Sequence, residues 1–190
     1  APSIQSELGI PVYATLQGDD IFLDDLIEPY RSQAIAEMKK LTKSISGFLV
    51  NSNYYAALMS ELLEIPRDKM HVVPLGVDTS DFERITRSED IGTTRTIGYL
   101  ARLSKEKGLH ILIDAFIRLK ARSGYEDVKL KIAGWRGSTN IEFANQQIQK
   151  LHDAGLTDSF TDLGTISRDE KLAMLGSLDL MCVPTEYREP

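Results

Sequence analysis

The chain has 190 residues, 42% of them hydrophobic and 26% charged, with a net charge of −6 at pH 7. That length exceeds one average domain and falls short of two full ones, and the balance is that of a globular protein with a real core. No apolar run approaches the ~18–20 residues of a membrane span, and nothing in residues 1–9 reads as a signal peptide.

The charge is uneven. Through Gly92 there are 8 Lys+Arg against 15 Asp+Glu, and from Thr93 onward 14 against 13. The second half is therefore the place to look for an anion site, but its excess is too small for general nucleic-acid binding. The chain opens on Ala1 rather than Met, which points to processing or excision. Its single cysteine, Cys182, lies in an apolar run and reads as a buried structural thiol. One cysteine forbids an intrachain disulfide, in keeping with a reducing, cytoplasmic location.

In chain order, Pro11–Leu16 reads as a strand that ends at the turn-type cluster Gln17-Gly18-Asp19-Asp20. Residues 31–46 carry helical spacing through Ile35, Met38, Leu41 and Ile45. Gly47–Val50 is a short strand. Ser52 then caps a helix whose apolar face is Tyr55, Leu58, Met59, Leu62 and Leu63, and Pro66 bars its continuation. Met70–Val73 reads as a strand, and the polar, aperiodic stretch 79–94 as the domain junction.

The second half alternates more cleanly. A strand at Thr96–Leu100 precedes a helix over 109–122, with Leu109, Leu112, Phe116 and Leu119 on one face. A strand at Val128–Ala133 precedes a helix over 141–154 that stops at Gly155. Phe160–Leu163 is a short strand, and Ser167-Arg168-Asp169-Glu170 has capping-box spacing for a helix reaching Gly176. The run Leu178–Val183 is almost continuously apolar, as expected of a strand buried on both faces. This alternation predicts a parallel, doubly wound, Rossmann-like α/β sheet, whose ligands bind outside the carboxyl ends of the strands.

Three loops lie at that edge: residues 101–108, 134–140 and 184–190. The first places Arg102, Lys105 and Lys107 beside Gly108 at a helix N-terminus, where backbone N–H groups and the helix dipole favour an anion. Arg102 can fork onto two phosphate oxygens and Lys107 adds a point charge. A solvated charged turn is the plainer reading of the same residues. Asp19-Asp20 and Asp24-Asp25 lack the converging ligands of an oxygen metal site, and His71, His110 and His152 have no partners at ligand spacing. No metal is expected. Trp135 stands at a strand end beside Arg136 and Gly137, in position to line a cleft or to pack. No Gly-x-Gly-x-x-Gly follows Thr96–Leu100, which counts against a dinucleotide-binding domain and an NAD-dependent oxidoreductase.

Several segments together resemble glycosyltransferase family 4, the group 1 enzymes of the GT-B fold. Gly98-Tyr99-Leu100-Ala101-Arg102-Leu103, Lys107-Gly108 and Ile113-Asp114-Ala115-Phe116 are similar to the start of that family's C-terminal domain. Val73-Pro74-Leu75-Gly76-Val77-Asp78 with Phe82 resembles its interdomain segment. Leu130-Lys131-Ile132-Ala133-Gly134 resembles its second strand and glycine turn, and 160–164 the strand before its base-contacting loop. Asp179-Leu180 and Val183-Pro184 resemble the strand leading into its E-x7-E motif. The ordered combination covers about Gly9 to Pro190.

The resemblance implies a GT-B fragment truncated at both ends. Residues 1–84 would be the C-terminal part of the acceptor domain, 85–94 a hinge, and 95–190 an incomplete nucleotide-sugar-binding domain. It implies a retaining transferase of hexosyltransferase type, moving a sugar from a nucleotide-diphosphate-sugar to an acceptor hydroxyl, with that donor as substrate and no cofactor. The acceptor, a sugar or a lipid, stays open, as does peripheral membrane contact by the parent.

Arg102, Lys107 and Gly108 would hold the diphosphate, with Gly134 at the second turn, and the loop at Gly164-Thr165-Ile166 would offer backbone groups to the base. Glu189 corresponds to the first Glu of E-x7-E, which contacts the donor sugar, with Glu186 as its rival. The second Glu would fall beyond Pro190. Gln17 stands where the family commonly has a His near the donor sugar. Gln can hydrogen-bond a hydroxyl but cannot titrate near neutral pH. The fragment alone is expected to have little activity, and uncovered apolar surface would favour self-association. A non-catalytic nucleotide- or partner-binding module remains the alternative, with Gln17 its best support.

Overall fold

The computed structural model describes residues 2–85 and 94–187. In the first half the order is α1 (Pro2–Leu8), β1 (Tyr13–Leu16), α2 (Asp19–Asp24), α3 (Tyr30–Thr42), β2 (Gly47–Val50), α4 (Asn53–Leu63) and β3 (Met70–Val72). Strands β4 (Thr96–Leu100), β5 (Lys129–Ala133), β6 (Phe160–Gly164) and β7 (Leu180–Met181) then alternate with α5 (Leu109–Lys120), α6 (Ile141–Asp153) and α7 (Arg168–Gly176). The chain divides into two compact units between Val77 and Asp78. The junction expected at 85–94 lies, apart from its two ends, outside the described residues.

The first unit is a parallel three-stranded sheet in the order β1-β2-β3, with Leu16 opposite Val50 and Val50 opposite Val72. Leu16, Phe48 and Val50 from the sheet meet Tyr55, Ala56, Met59 and Leu63 of α4 in the core. The α4 residues recur every three or four positions, which puts them on one helix face. Ser52 caps α4, its side chain accepting the Tyr55 N–H at 3.0 Å. On α3, Ile35 and Met38 pack against this core, whereas Leu41 is exposed.

The second unit is a parallel sheet in the order β6-β5-β4-β7. Tyr99, Leu130 and Ile132 from its central strands pack with Leu109, Leu112, Ile113 and Phe116 of α5 and with Ala144 and Leu151 of α6. Helices α5 and α6 touch each other, so they share one face. Going from β6 to β7 the chain crosses from one sheet edge to the other, and a right-handed crossover carries α7 over the opposite face. The strand order thus reverses between β4 and β7, the switch point where open α/β sheets bind ligands. The capping box of α7 forms as its spacing predicts, with Ser167 Oγ accepting from Glu170 N–H and the Glu170 carboxylate accepting from Ser167 N–H.

Three expectations need correction. The apolar run at 178–183 is not a strand buried on both faces. Its ladder is confined to Leu180–Met181, both residues are about half exposed, and β4 is its one neighbour among the described residues. Leu178 instead covers Gly98, where an added Cβ would sit 2.1 Å from its methyl carbon. Cys182 is only half-buried, resting against the core rather than inside it. The cluster at Gln17–Asp20 is not merely a turn, because Asp19 and Asp20 open α2.

Candidate functional site

At the carboxyl edge of the second sheet, the loop after β4 is built on Tyr99. Its ring is fully buried, and its hydroxyl lies 2.8 Å from the Arg102 carbonyl and 3.3 Å from the Lys107 carbonyl. One hydroxyl thereby gathers the backbone of both basic residues. Burial, with the nearby Glu106 carboxylate adding to it, holds this phenol well above its ordinary pKa, so it stays protonated as a donor. The alternation of β4 turns Tyr99 inward, and the chain folds back over it.

Two glycines set how closely the loops approach. Gly108, the N-cap of α5, has φ 71°, and an added Cβ would lie 1.8 Å from the Pro184 carbonyl oxygen. At Gly134 an added Cβ would lie 1.7 Å from the Ala101 carbonyl oxygen. Any side chain at either position forces backbone apart. The N–H of Gly108 donates to Lys105 O at 2.8 Å, and that of Gly134 to Gly164 O at 2.8 Å. Both glycines therefore act as spacers. The first turn of α5 has no side-chain cap and no acidic residue, which leaves its N–H groups to an anion.

The segment after β7 closes on the same loop. Glu186 N–H donates to Glu106 O at 3.0 Å, and the Glu186 carboxylate stands 3.4 Å from His110 Nε2. Lys107 Nζ donates to the Tyr187 hydroxyl at 2.8 Å and lies 4.8 Å from the centre of its ring. Arg102 pairs with Glu106 at 3.4 Å with half of its side chain exposed. An exposed pair of this kind contributes about 0–1 kcal/mol, so a better anion displaces it easily.

Beside this loop a cleft of about 420 Å³ is lined by Leu100, Ala101, Gly134, Trp135, Thr165, Ile166 and Lys171. Its walls are tied together. Arg136 pairs with Asp162, and a second Asp162 oxygen accepts Gly164 N–H at 3.1 Å. Leu103 N–H donates to Trp135 O at 3.0 Å. Trp135 is 57% exposed, its ring folded over Gly137.

The structure thus brings Arg102, Lys107 and Gly108 together in one loop, and Gly134, Thr165 and Ile166 together in the adjoining cleft. Gln17 belongs to the first unit, at the exposed end of β1, with its N–H donating to Asp19 Oδ2 at 2.9 Å. The following backbone is anchored by the buried Tyr55 hydroxyl, which accepts from Gly18 and Asp19 N–H and donates to Asp20. Burial, and then Asp20, raises the pKa of that phenol. Glu189 lies outside the described residues. Sequence reasoning missed Tyr99, Tyr187 and Lys171 as parts of the site. Only the place of Tyr99 beside the Arg102 segment hinted at a role.

A sequence model of the group 1 glycosyl transferases matches residues 81–190. Over 149 residues the chain is 26% identical to the MMP α-(1→4)-mannosyltransferase of Mycolicibacterium hassiacum, covering 78% of this chain and 34% of that protein. Among solved structures, Anabaena HepE in complex with UDP superposes with a TM-score of 0.74 at 19% identity, covering 98% of this chain and 50% of that one. A glycosyltransferase from Rickettsia africae gives 0.64 at 17% identity, covering 99% and 55%. The chain spans about a third of the length of the curated relative and about half of these solved structures. The fold is α/β of the GT-B type, with parallel sheets in both units. Because the match at 81–190 covers more than half of its sequence, the chain belongs to the glycosyl transferases group 1 family.

Proposed function

We propose that this chain carries the donor half of a retaining hexosyltransferase, which moves a sugar from a nucleotide-diphosphate-sugar to an acceptor hydroxyl without a cofactor. The observation that carries the reading is the loop after β4. There one buried hydroxyl gathers the Arg102 and Lys107 backbone at the uncapped start of α5, beside a cleft of nucleoside size. The UDP bound by Anabaena HepE, a protein of the same fold, supports a nucleotide ligand.

In this reading Arg102 exchanges Glu106 for the diphosphate, and Lys107 turns from Tyr187 to the same group. Each charge-assisted bond contributes about 1.5–3 kcal/mol. The bond from the anomeric carbon to the phosphate oxygen breaks while the acceptor oxygen bonds to that carbon on the same face. The acceptor proton passes to the departing phosphate. Fixed positive groups and helix N–H dipoles stabilise the charge that develops there. Thr165 and Ile166 supply backbone groups to the base. Glu189 contacts the donor sugar, and Gln17 is the further catalytic candidate. The chain alone binds the donor but transfers little, as its share of its relatives' length supports.

The test is transfer by the chain extended with its flanking sequence. Release of nucleoside diphosphate with the donor's anomeric configuration kept in the product is expected. A product of inverted configuration, or robust transfer by the 190-residue chain alone, contradicts the corresponding part of the reading.

A further inference from the structure

The first unit carries a basic cleft that the donor-site reading does not use. Its volume is about 470 Å³, and Lys39, Lys40, Lys43 and Lys69 stand around an apolar side formed by Leu63 and Pro66. Through Gly92 the chain has 8 Lys+Arg against 15 Asp+Glu. Four of those cations line this cleft against one acid, Glu64, a net of +3; the remaining 4 against 14 leave −10 elsewhere.

Helix α3 ends at Thr42 and leads into β2, while α4 ends at Leu63 and leads past Lys69 into β3. The cleft therefore lies at the amino ends of these parallel strands, opposite the carboxyl edge where open sheets hold their ligands. The helix dipole accounts for lysines in the last turn of α3. It does not account for Lys69 joining them from the turn before β3, nor for the apolar side they surround.

The ammoniums keep donors to spare. Lys69 Nζ donates to Ile45 O at 2.9 Å and Lys39 Nζ to Glu64 at 2.6 Å, each using one of three protons. Lys40 is held by Glu37 at 2.6 Å, an exposed pair that a stronger anion replaces. Lys43 forms no ion pair and no hydrogen bond among the described residues. The Lys39 hydrogen bond, then the charges of Lys39 and Lys43, hold the Glu64 carboxyl below its usual range, so both ammoniums act on one small space.

We propose that this cleft binds the phosphate dianion of a small, soluble phosphate monoester whose organic part rests on Leu63 and Pro66. Clustered ammoniums in a concave site focus their field on a dianion. The volume is that of a small-molecule pocket. The −10 carried by the rest of residues 1–92 opposes the approach of an anionic bilayer, which favours a soluble ester over a lipid headgroup.

The experiment follows backbone amide shifts of the isotope-labelled 190-residue chain and its Lys40→Gln/Lys43→Gln variant during titration with phenyl phosphate and with inorganic phosphate. Gln is a good helix former and both positions are exposed, so the fold is kept. Amides of residues 39–45 and 63–70 are expected to shift saturably, with phenyl phosphate bound more tightly than inorganic phosphate. The variant, lacking two exposed charge-assisted contacts, should bind phenyl phosphate about 10-fold more weakly at these residues. Shifts at 101–110, the donor loop, should titrate alike in both chains. Absence of saturable shifts at 39–45 and 63–70 in wild type, or equal affinity in the folded variant, overturns the proposal. Equal affinity for the two phosphates overturns the part given to Leu63 and Pro66. Sedimentation with vesicles of phosphatidylcholine and phosphatidylserine, without shifts from either soluble phosphate, overturns it in favour of a membrane surface.

Discussion

Replacing Tyr99 by Phe removes one oxygen atom and leaves the ring, so it isolates the hydroxyl that organises the loop. The ring is fully buried in the core of the second unit, and Phe keeps that packing. The hydroxyl supplies a single proton to the Arg102 carbonyl at 2.8 Å, with the Lys107 carbonyl at 3.3 Å. The Arg102 carbonyl also accepts from Ser104 N–H at 2.9 Å, so it keeps a partner after the change. The loss is then one net hydrogen bond, about 1 kcal/mol, at the low end of what an orphaned buried group costs. Urea unfolding followed by circular dichroism should show that decrease, with a thermal midpoint a few degrees lower.

The same variant should weaken nucleoside diphosphate binding several-fold, because the loop carrying Arg102 and Lys107 loses its common anchor. Calorimetry on the folded variant reads this separately from stability. A Tyr99→Phe chain as stable as wild type refutes the hydrogen-bond reasoning. A less stable chain with unchanged affinity makes Tyr99 a core residue and nothing more.

Gly134→Ala places a methyl on the Ala101 carbonyl oxygen, so the two loops must part. Overpacking of this kind costs about 1–3 kcal/mol and should lower nucleotide affinity as well, both read by unfolding and titration of one sample. Ser52→Ala removes the cap of α4, at about 1 kcal/mol. It should leave nucleotide binding unchanged, since α4 belongs to the first unit; a loss of binding by a stably folded variant would contradict that separation. Tyr55 and Tyr99 both have folded-state pKa values raised above the ordinary 10.0. Their contribution is full below that pH. It falls as pH rises beyond it, because the unfolded chain ionises first and the folded chain retains its protons. Unfolding midpoints followed from neutral pH to about pH 11 should drop, and drop less in Tyr55→Phe or Tyr99→Phe. An equal drop in all three chains contradicts the assignment.

Much of the second unit is legible in the sequence because local signals agree with one another there. The strand at Thr96–Leu100, the helix starting at Leu109 and the capping box at Ser167 each follow from a pattern a few residues long. Strand β7 failed because hydrophobicity reports that side chains avoid water, not which element covers them. Leu178, Cys182 and Val183 find cover against Gly98 and the core, while Leu180 and Met181 do not. Helix α2 was hidden because Gly18-Asp19-Asp20 has turn chemistry, and what fixes its start is a hydroxyl from Tyr55, 36 residues away from Asp19.

At the site, the charges of Arg102 and Lys107 were visible, but their organiser was not. Tyr99 works through backbone carbonyls, which carry no residue identity, and a tyrosine in a strand reads simply as a β-former. Tyr187 and Glu186 reach this loop from about eighty residues further along the chain, a proximity set by the β4–β7 pairing. Lys171 has the sequence character of a solvated helix residue; only the placement of α7 beside the loop after β6 puts it in the cleft.

The central claim is that Arg102 and Lys107 form the diphosphate clamp of a sugar-nucleotide site. Calorimetric titration of UDP, GDP and ADP into the 190-residue chain and its Arg102→Ala/Lys107→Ala variant tests it most directly. The account predicts binding of at least one diphosphate by the wild-type chain, with loss of two charge-assisted bonds weakening it at least 100-fold in the variant. Equal affinity in the two folded proteins, or no binding of any of the three to the folded wild-type chain, would contradict it.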